Sequence, residues 1–177
     1  MEQGMHPLIE VVAYDPRWPE AFTWAREELA AAWGPNVVVI HHIGSTSIAG
    51  LYAKPVIDIL AVVGDLLALD QQSGRMEQLG YQVMGEFGIL GRRYFRRDDA
   101  EGKRTHQVHA FANDSPHVKR HLAFRDFLRA HTAVAHEYAA LKRALAATHP
   151  HDMEAYMDGK DRFIKEVERR ALEWANR

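Results

Sequence analysis

A chain of 177 residues, 47% apolar and 26% charged, is long enough to bury the core of one domain. Its net charge of −2 sets up no global field for nucleic acid or an anionic membrane, and its lack of cysteine excludes disulfides, thiol catalysis and cysteine-held zinc. No apolar stretch approaches the roughly 18 residues of a spanning helix, and Met1 to Glu10 lacks the basic start and apolar run of a signal peptide, so a cytoplasmic protein is expected.

Asp15-Pro16 predicts a helix start, and Trp18, Phe22, Ala25, Leu29 and Ala32 then recur on one face until Gly34-Pro35-Asn36. Val37-Val38-Val39-Ile40 reads as a buried strand. A loop of small residues follows, with a short helical turn near Ser47–Tyr52, and then a second apolar run, Val56 to Val63, in which Asp58 is the only charge. Gly64-Asp65 opens one helix from Leu66 to Leu79, stopped by Gly80. Tyr81 to Met84 predicts a short strand, and Gly85, Gly88 and Gly91 a flexible loop. Arg92 to Arg97 and Thr105 to Phe111 form a hairpin about the turn Asp98 to Gly102. Three helices complete the chain: Pro116 to about Ala130, then His131-Thr132 to Ala147, then one from Pro150-His151-Asp152 onward. With no repeat and no linker, residues 1–177 are one α+β domain, a mixed sheet with a C-terminal helical layer. The aromatic set Trp18, Phe22, Trp33, Phe124, Phe127 and Trp174 is expected in the core.

The chemistry centres on His41-His42-Ile43-Gly44-Ser45-Thr46-Ser47 and the strand after it. Gly44 lets a backbone approach a ligand closely, and Ser45 and Thr46 offer hydroxyls beside free N–H groups, a cradle for phosphate. Lys54 lies just before the Asp58 strand. A carboxylate inside an apolar strand costs several kcal/mol unless it is paired or metal-bound. The structural alternatives are a cap on the turn for Ser45 and a salt bridge to Lys54 for Asp58.

Gly-Ser, twelve residues, then Asp resembles the signature of the nucleotidyltransferase superfamily. Read together with "DPRWPEAF", "GRRYF", "THQVHAF", "HLAFRDFLRAH", "YAALK" and "YMDGKDRFI", the string resembles more specifically the GrpB family, over Tyr14 to Ala171. The resemblance implies a nucleotidyltransferase-type fold and a nucleotide-handling site. One departure stands out. The superfamily places two carboxylates two residues apart on this strand, whereas Val56 and Leu60 flank Asp58 here. His109 sits near the superfamily's third carboxylate strand, on the strand face shared by Thr105 and Gln107, with His106 on the other face.

Asp58 and His109 are therefore the expected catalytic pair. With Glu86 of the glycine-rich loop, they are the expected ligands of a divalent Mg, Mn or Zn, an imidazole favouring the transition metals. Gly44, Ser45, Thr46, Lys54, Arg93, Arg125 and Lys160 are the expected phosphate or nucleotide contacts. Lys160 belongs to this group because it interrupts the apolar stripe Tyr156, Phe163, Ile164, Val167, Ala171, and Arg125 because it interrupts Val118, Leu122, Leu128. Both cations can instead snorkel or form salt bridges. The readings are then a transferase, a nucleotide- or phosphate-binding module that has lost transfer chemistry, or a partner-binding domain. GrpB-like domains also occur fused to dephospho-CoA kinase, which points toward coenzyme or nucleotide metabolism.

Overall fold

Asp15 does not cap the first helix. Its carboxylate takes the Arg17 N–H at 2.9 Å and the same residue's guanidinium at 2.6 Å, and helix α1 (Trp18–Trp33) begins after that local clasp with Pro19 in its first turn. The computed structural model describes residues 7–177; Met1 to His6, part of the stretch read for a signal peptide, lie outside it.

Strand β1 (Val37–Ile43) leads through a 3-10 turn at Ser45–Ser47 to β2 (Ile57–Val63). The single helix expected over Leu66 to Leu79 is two: α2 (Leu66–Asp70) and α3 (Ser73–Gln78). Asp65 caps α2 by accepting from Leu67 and Ala68, and the Ser73 hydroxyl takes the Asp70 carbonyl at 2.8 Å. A serine that satisfies an end carbonyl offers the backbone an alternative to the next helical bond, so the chain turns there. Strands β3 (Gln82–Val83), β4 (Arg93–Asp98) and β5 (Arg104–Ala112) follow, then α4 (Pro116–Ala130), α5 (Thr132–Thr148) and α6 (Met153–Ala175). Ser115 and Asp152 cap α4 and α6.

The sheet runs β1-β2-β5-β4-β3, with β2 and β5 parallel and the other neighbours antiparallel. The fold is α+β with a five-stranded mixed sheet and C-terminal helices. Alternation divides the strands between two cores. Ile57, Ile59, Ala61 and Val63 join Val108, Ala110 and Phe95 against Leu29 and Trp33 of α1 and Met76 of α3. On the opposite face Leu60 and Val62 join Ile43 and Phe111 under Val118 and Leu122 of α4. A third cluster locks the helical layer onto the turn after β1: Ile48 and Leu51 pack with Phe127, Leu128, Val134, Tyr138, Val167 and Ala171. Each large side chain fully buried this way contributes roughly 1.5–3 kcal/mol. Trp174 departs from the expected aromatic core; it is 37% exposed, its ring edge on Phe127. Among the described residues no helix is long and apolar enough to cross a membrane.

Candidate functional site

The turn after β1 is built against Asp58. Gly44 has φ +72°, and a Cβ there would lie 2.5 Å from Asp58 Oδ2 and 2.9 Å from Asp58 Cβ. Only glycine lets the turn's backbone lie this close to the Asp58 side chain. The turn is closed from within by Ser47, whose hydroxyl donates to the Gly44 carbonyl at 2.5 Å. It is held from outside by α4: Arg129 donates to the Ser47 carbonyl at 2.8 Å, and Arg125 to the His42 carbonyl at 3.2 Å. Ser45 is thereby freed of any capping duty, and its N–H and that of Thr46 have no acceptor among the described residues.

The parallel register sets Asp58 opposite Gln107 and Leu60 opposite His109, so Asp58 and His109 share a sheet face. His109 Nε2 lies 4.0 Å from Asp58 Oδ1. Arg92 orients the ring by donating from Nη1 to His109 Nδ1 at 3.4 Å; in a neutral imidazole that leaves the proton on Nε2, toward Asp58. Arg92 is itself held by the Glu86 and Phe87 carbonyls, at 3.1 and 2.6 Å, and lies over the Tyr94 ring. Tyr94 stacks on His109, and His121 of α4 lies behind, its pKa pushed down to about 3 by burial and then by Arg120.

Lysines from three segments gather about Asp58, and one of them bonds the turn. Lys142 of α5, 3% exposed, donates to Ser45 Oγ at 2.6 Å and to the Tyr52 carbonyl at 3.2 Å. Lys160 of α6 is buried and lies over the Tyr156 ring, which Lys54 also approaches. Gly159 permits this convergence, because a Cβ there would collide with the Leu145 side chain on α5. Burial is the first cause of a lowered pKa in all three lysines. Lys142 falls to about 7, with Lys160 as the next cause, and Lys160 to about 8, with Lys54 next. Asp58 is the one carboxylate acting against the shift in each. The arrangement is a desolvated, net-positive recess around a serine and a glycine turn.

Residues 8–170 match the family model described as GrpB protein. The chain belongs to the GrpB family. It is 46% identical to the UPF0157 protein YqkA of Bacillus subtilis over 94% of its own length, and it spans about half of that relative (48%). The crystal structure of conserved protein GrpB from Enterococcus faecalis superposes with a TM-score of 0.91 at 41% identity, covering 95% of this chain and 100% of that one. A dephospho-CoA kinase of Mycolicibacterium paratuberculosis is 28% identical over 95% of this chain, which covers 47% of that protein. A fainter likeness, TM-score 0.48 at 11% identity over 75% of this chain and 40% of the other, is to Cid1 in complex with its short product ApU; at that score nothing about activity transfers.

Within this GrpB-family chain the expected site residues separate into those gathered and those placed elsewhere. Gly44, Ser45, Lys54, Asp58, His109 and Lys160 are gathered. Thr46 adjoins them but is 1% exposed, its hydroxyl donating to the Val56 carbonyl at 3.1 Å and meeting His42 at 2.9 Å, so it braces the turn from inside. Arg125 pairs with Asp126 and the β1 backbone. Arg93 faces the α1 side, where Asp70 takes its guanidinium at 2.6 and 2.9 Å. Glu86 accepts the Gly91 N–H at 3.0 Å and closes its own loop. Lys142 and Arg92 were not among the expected contacts. Lys142 interrupts the stripe Ala135, Tyr138, Ala139, Ala146 just as Lys160 interrupts its own, so the same signal points to it.

The donor set does not fit a protein-held metal centre. Asp58 and His109 are two donors, Glu86 is engaged in its loop, and among the described residues no group of three His, Asp or Glu converges. Three lysines beside the pair further oppose a dication. Two surface hollows, of about 330 and 230 Å³, are lined by none of these residues.

Proposed function

We propose that the recess binds the phosphate of a nucleotide or another phosphate-bearing small molecule, with lysines doing the neutralising work expected of a metal. The observation that carries this is Lys142 bonded to Ser45 of the turn, with Lys160 and Lys54 close enough to act on it and Asp58 as their one carboxylate. Buried cations with too few partners are costly, and an anion removes the cost. The N–H groups of Ser45 and Thr46 supply donors of fixed direction. Calorimetry with inorganic phosphate, pyrophosphate and nucleoside triphosphates, each with and without Mg²⁺, tests it. Binding that survives chelation of divalent metal is the expected result. Absence of binding by every one of these phosphates removes the reading.

A second reading, a module without transfer chemistry, is favoured by Val56 and Leu60 where the superfamily's second carboxylate is expected. The match to part of a dephospho-CoA kinase suits such a supporting role near coenzyme metabolism. Product analysis after incubation with a triphosphate distinguishes the two: binding without turnover supports the module, and release of pyrophosphate supports a transferase.

A further inference from the structure

Anion binding accounts for the lysines as a group but not for what Lys142 does to Ser45. The ammonium end of Lys142 has two hydrogen-bond partners, the Tyr52 carbonyl at 3.2 Å and Ser45 Oγ at 2.6 Å. The carbonyl can only accept. The bond to the serine can run either way, because a hydroxyl donates and accepts and an uncharged amine does both. Among the described residues Ser45 Oγ has no other partner. With Lys142 charged, the serine proton therefore has no acceptor in the protein; with Lys142 neutral, the amine accepts that proton's hydrogen bond and still donates to Tyr52. We propose that Ser45 is a nucleophile activated by Lys142 as its base, and that the cleft takes a phosphoryl group from a bound phosphate ester or anhydride onto Ser45. The inference rests on the anion-site reading only for what brings the electrophile to the serine.

Three further features suit the pair. Ser45 is half-buried at the surface of the recess while Lys142 is enclosed beneath it, so the nucleophile is reachable and its base is dry. Ser47, not Ser45, closes the turn, so the Ser45 hydroxyl carries no structural bond that attack would break. Burial and the cations Lys160 of α6 and Lys54 before β2 push Lys142 down to about 7, against the pull of Asp58 on β2, and the Tyr138 ring lies 4.5 Å from its Nζ. The nearby phenols of Tyr138 and Tyr156 are raised by burial and add no charge. A lysine near neutrality is the kind that serves as a base. In the step itself the Oγ–phosphorus bond forms as the bond from phosphorus to the leaving oxygen breaks. The serine proton passes to Lys142 Nζ and from there to the leaving oxygen. Water then releases phosphate from the serine, and no redox partner is required.

An alkyl fluorophosphonate reports the step directly, since attack by Ser45 displaces fluoride and leaves a phosphonyl group that peptide mass spectrometry locates. The expected result is one adduct, on Ser45, forming faster as pH rises through about 7, the value to which Lys142 is pushed. Ser45→Ala should give none. Lys142→Arg keeps the charge but removes the base, and should slow labelling roughly 100-fold or more, the scale of general-base catalysis. No adduct on the unaltered chain, an adduct elsewhere, or labelling of Lys142→Arg at the unaltered rate overturns the proposal. Ser45→Cys adds an independent reading, because the chain has no other cysteine. Its alkylation by iodoacetamide should inflect below the ordinary thiol value of about 8.5, and an inflection at or above that value counts against Lys142 as its partner. Phosphate calorimetry on the same unaltered preparation separates the failures: phosphate bound without an adduct ends the nucleophile and leaves the anion site, and no phosphate bound ends the site.

Discussion

Polar side chains intrude on both faces of the central sheet, and the two faces treat them differently. On the α1 and α3 side the charged intruders Arg97 and Arg93 have opposite partners. Arg97 meets Glu28 at 3.0 Å and the Leu79 carbonyl at 3.2 Å, Arg93 meets Asp70, and His106 lies between the Thr105 hydroxyl, Arg97 and the Tyr81 ring. His106 is pushed down to about 4, by burial first and then by Arg97, so it stays uncharged. On the α4 to α6 side three lysines share Asp58, whose one ion-pair contact among the described residues is an imidazole at 4.0 Å. A fold that pairs its charges on one face has the means to pair them on the other. The unpaired set is therefore better explained by something that arrives than by the fold's own stability.

Breaking the unpaired side at its base has the largest effect. Gly44→Ala drives a Cβ into Asp58 and forces a side chain into a left-handed backbone. The combined overpacking and strain should cost about 2–4 kcal/mol in urea denaturation, with phosphate binding lost. Near-native stability of this variant would mean that the turn is not seated on the carboxylate.

The pH dependence of stability tests the lysines as a group. Both folded values, about 7 for Lys142 and about 8 for Lys160, lie below the unfolded 10.5. Within that window the unfolded chain binds more protons than the folded one, so their contribution to stability is lowest below pH 7 and rises as pH climbs toward 10.5. Each lysine adds a slope of up to about 1.4 kcal/mol per pH unit. The unaltered chain should therefore gain on a Lys142→Met, Lys160→Met double variant between about pH 7 and 9, measured by denaturation at each pH. Parallel curves for the two proteins would show that the lysines are not desolvated in solution.

Lys160→Met keeps the stem along the α6 seam and removes the charge. If its ammonium meets phosphate, affinity for a triphosphate should fall at least about tenfold, since a charge-assisted contact is worth roughly 1.5–3 kcal/mol. Melting temperature should hold or rise as repulsion with Lys54 and Lys142 is relieved. If Lys160 serves to neutralise Asp58, affinity stays and stability drops by about 3–5 kcal/mol. Titration and melting of the one variant separate these outcomes.

The fold was legible in the sequence where periodicity was long. The helices α1, α4, α5 and α6 and the β4–β5 hairpin follow from apolar spacing, whereas the break between α2 and α3 depends on a single serine hydroxyl finding a carbonyl. In the site, Asp58 and Lys160 were legible because each interrupts an apolar pattern, and His109 through the family resemblance. Arg93 and Glu86 misled because strand alternation alone does not say which face is which, and a loop carboxylate can serve its own backbone. Arg92 stayed hidden in a basic run, where composition cannot tell the guanidinium that turns toward the site from Arg93 and Arg97, which meet carboxylates on the other face.

The smallest effect, and the control for the whole comparison, lies at Arg93. Its guanidinium meets Asp70 through Nε at 2.6 Å and Nη2 at 2.9 Å, and its pKa is raised chiefly by that hydrogen bond. The Asp70 side chain is 43% exposed, so water screens much of the attraction and the pair is worth about 1 kcal/mol or less. Arg93→Ala should lower stability by no more than that, and Asp70→Ala by a similar amount. The double variant should lose less than the sum, because either change alone removes the same contact. Phosphate affinity should not move in any of the three, since the register of β4 turns Arg93 toward the face where charges are already paired. A clear loss of phosphate affinity in Arg93→Ala would mean that the paired face also serves the ligand, and the distinction between the two faces would fall.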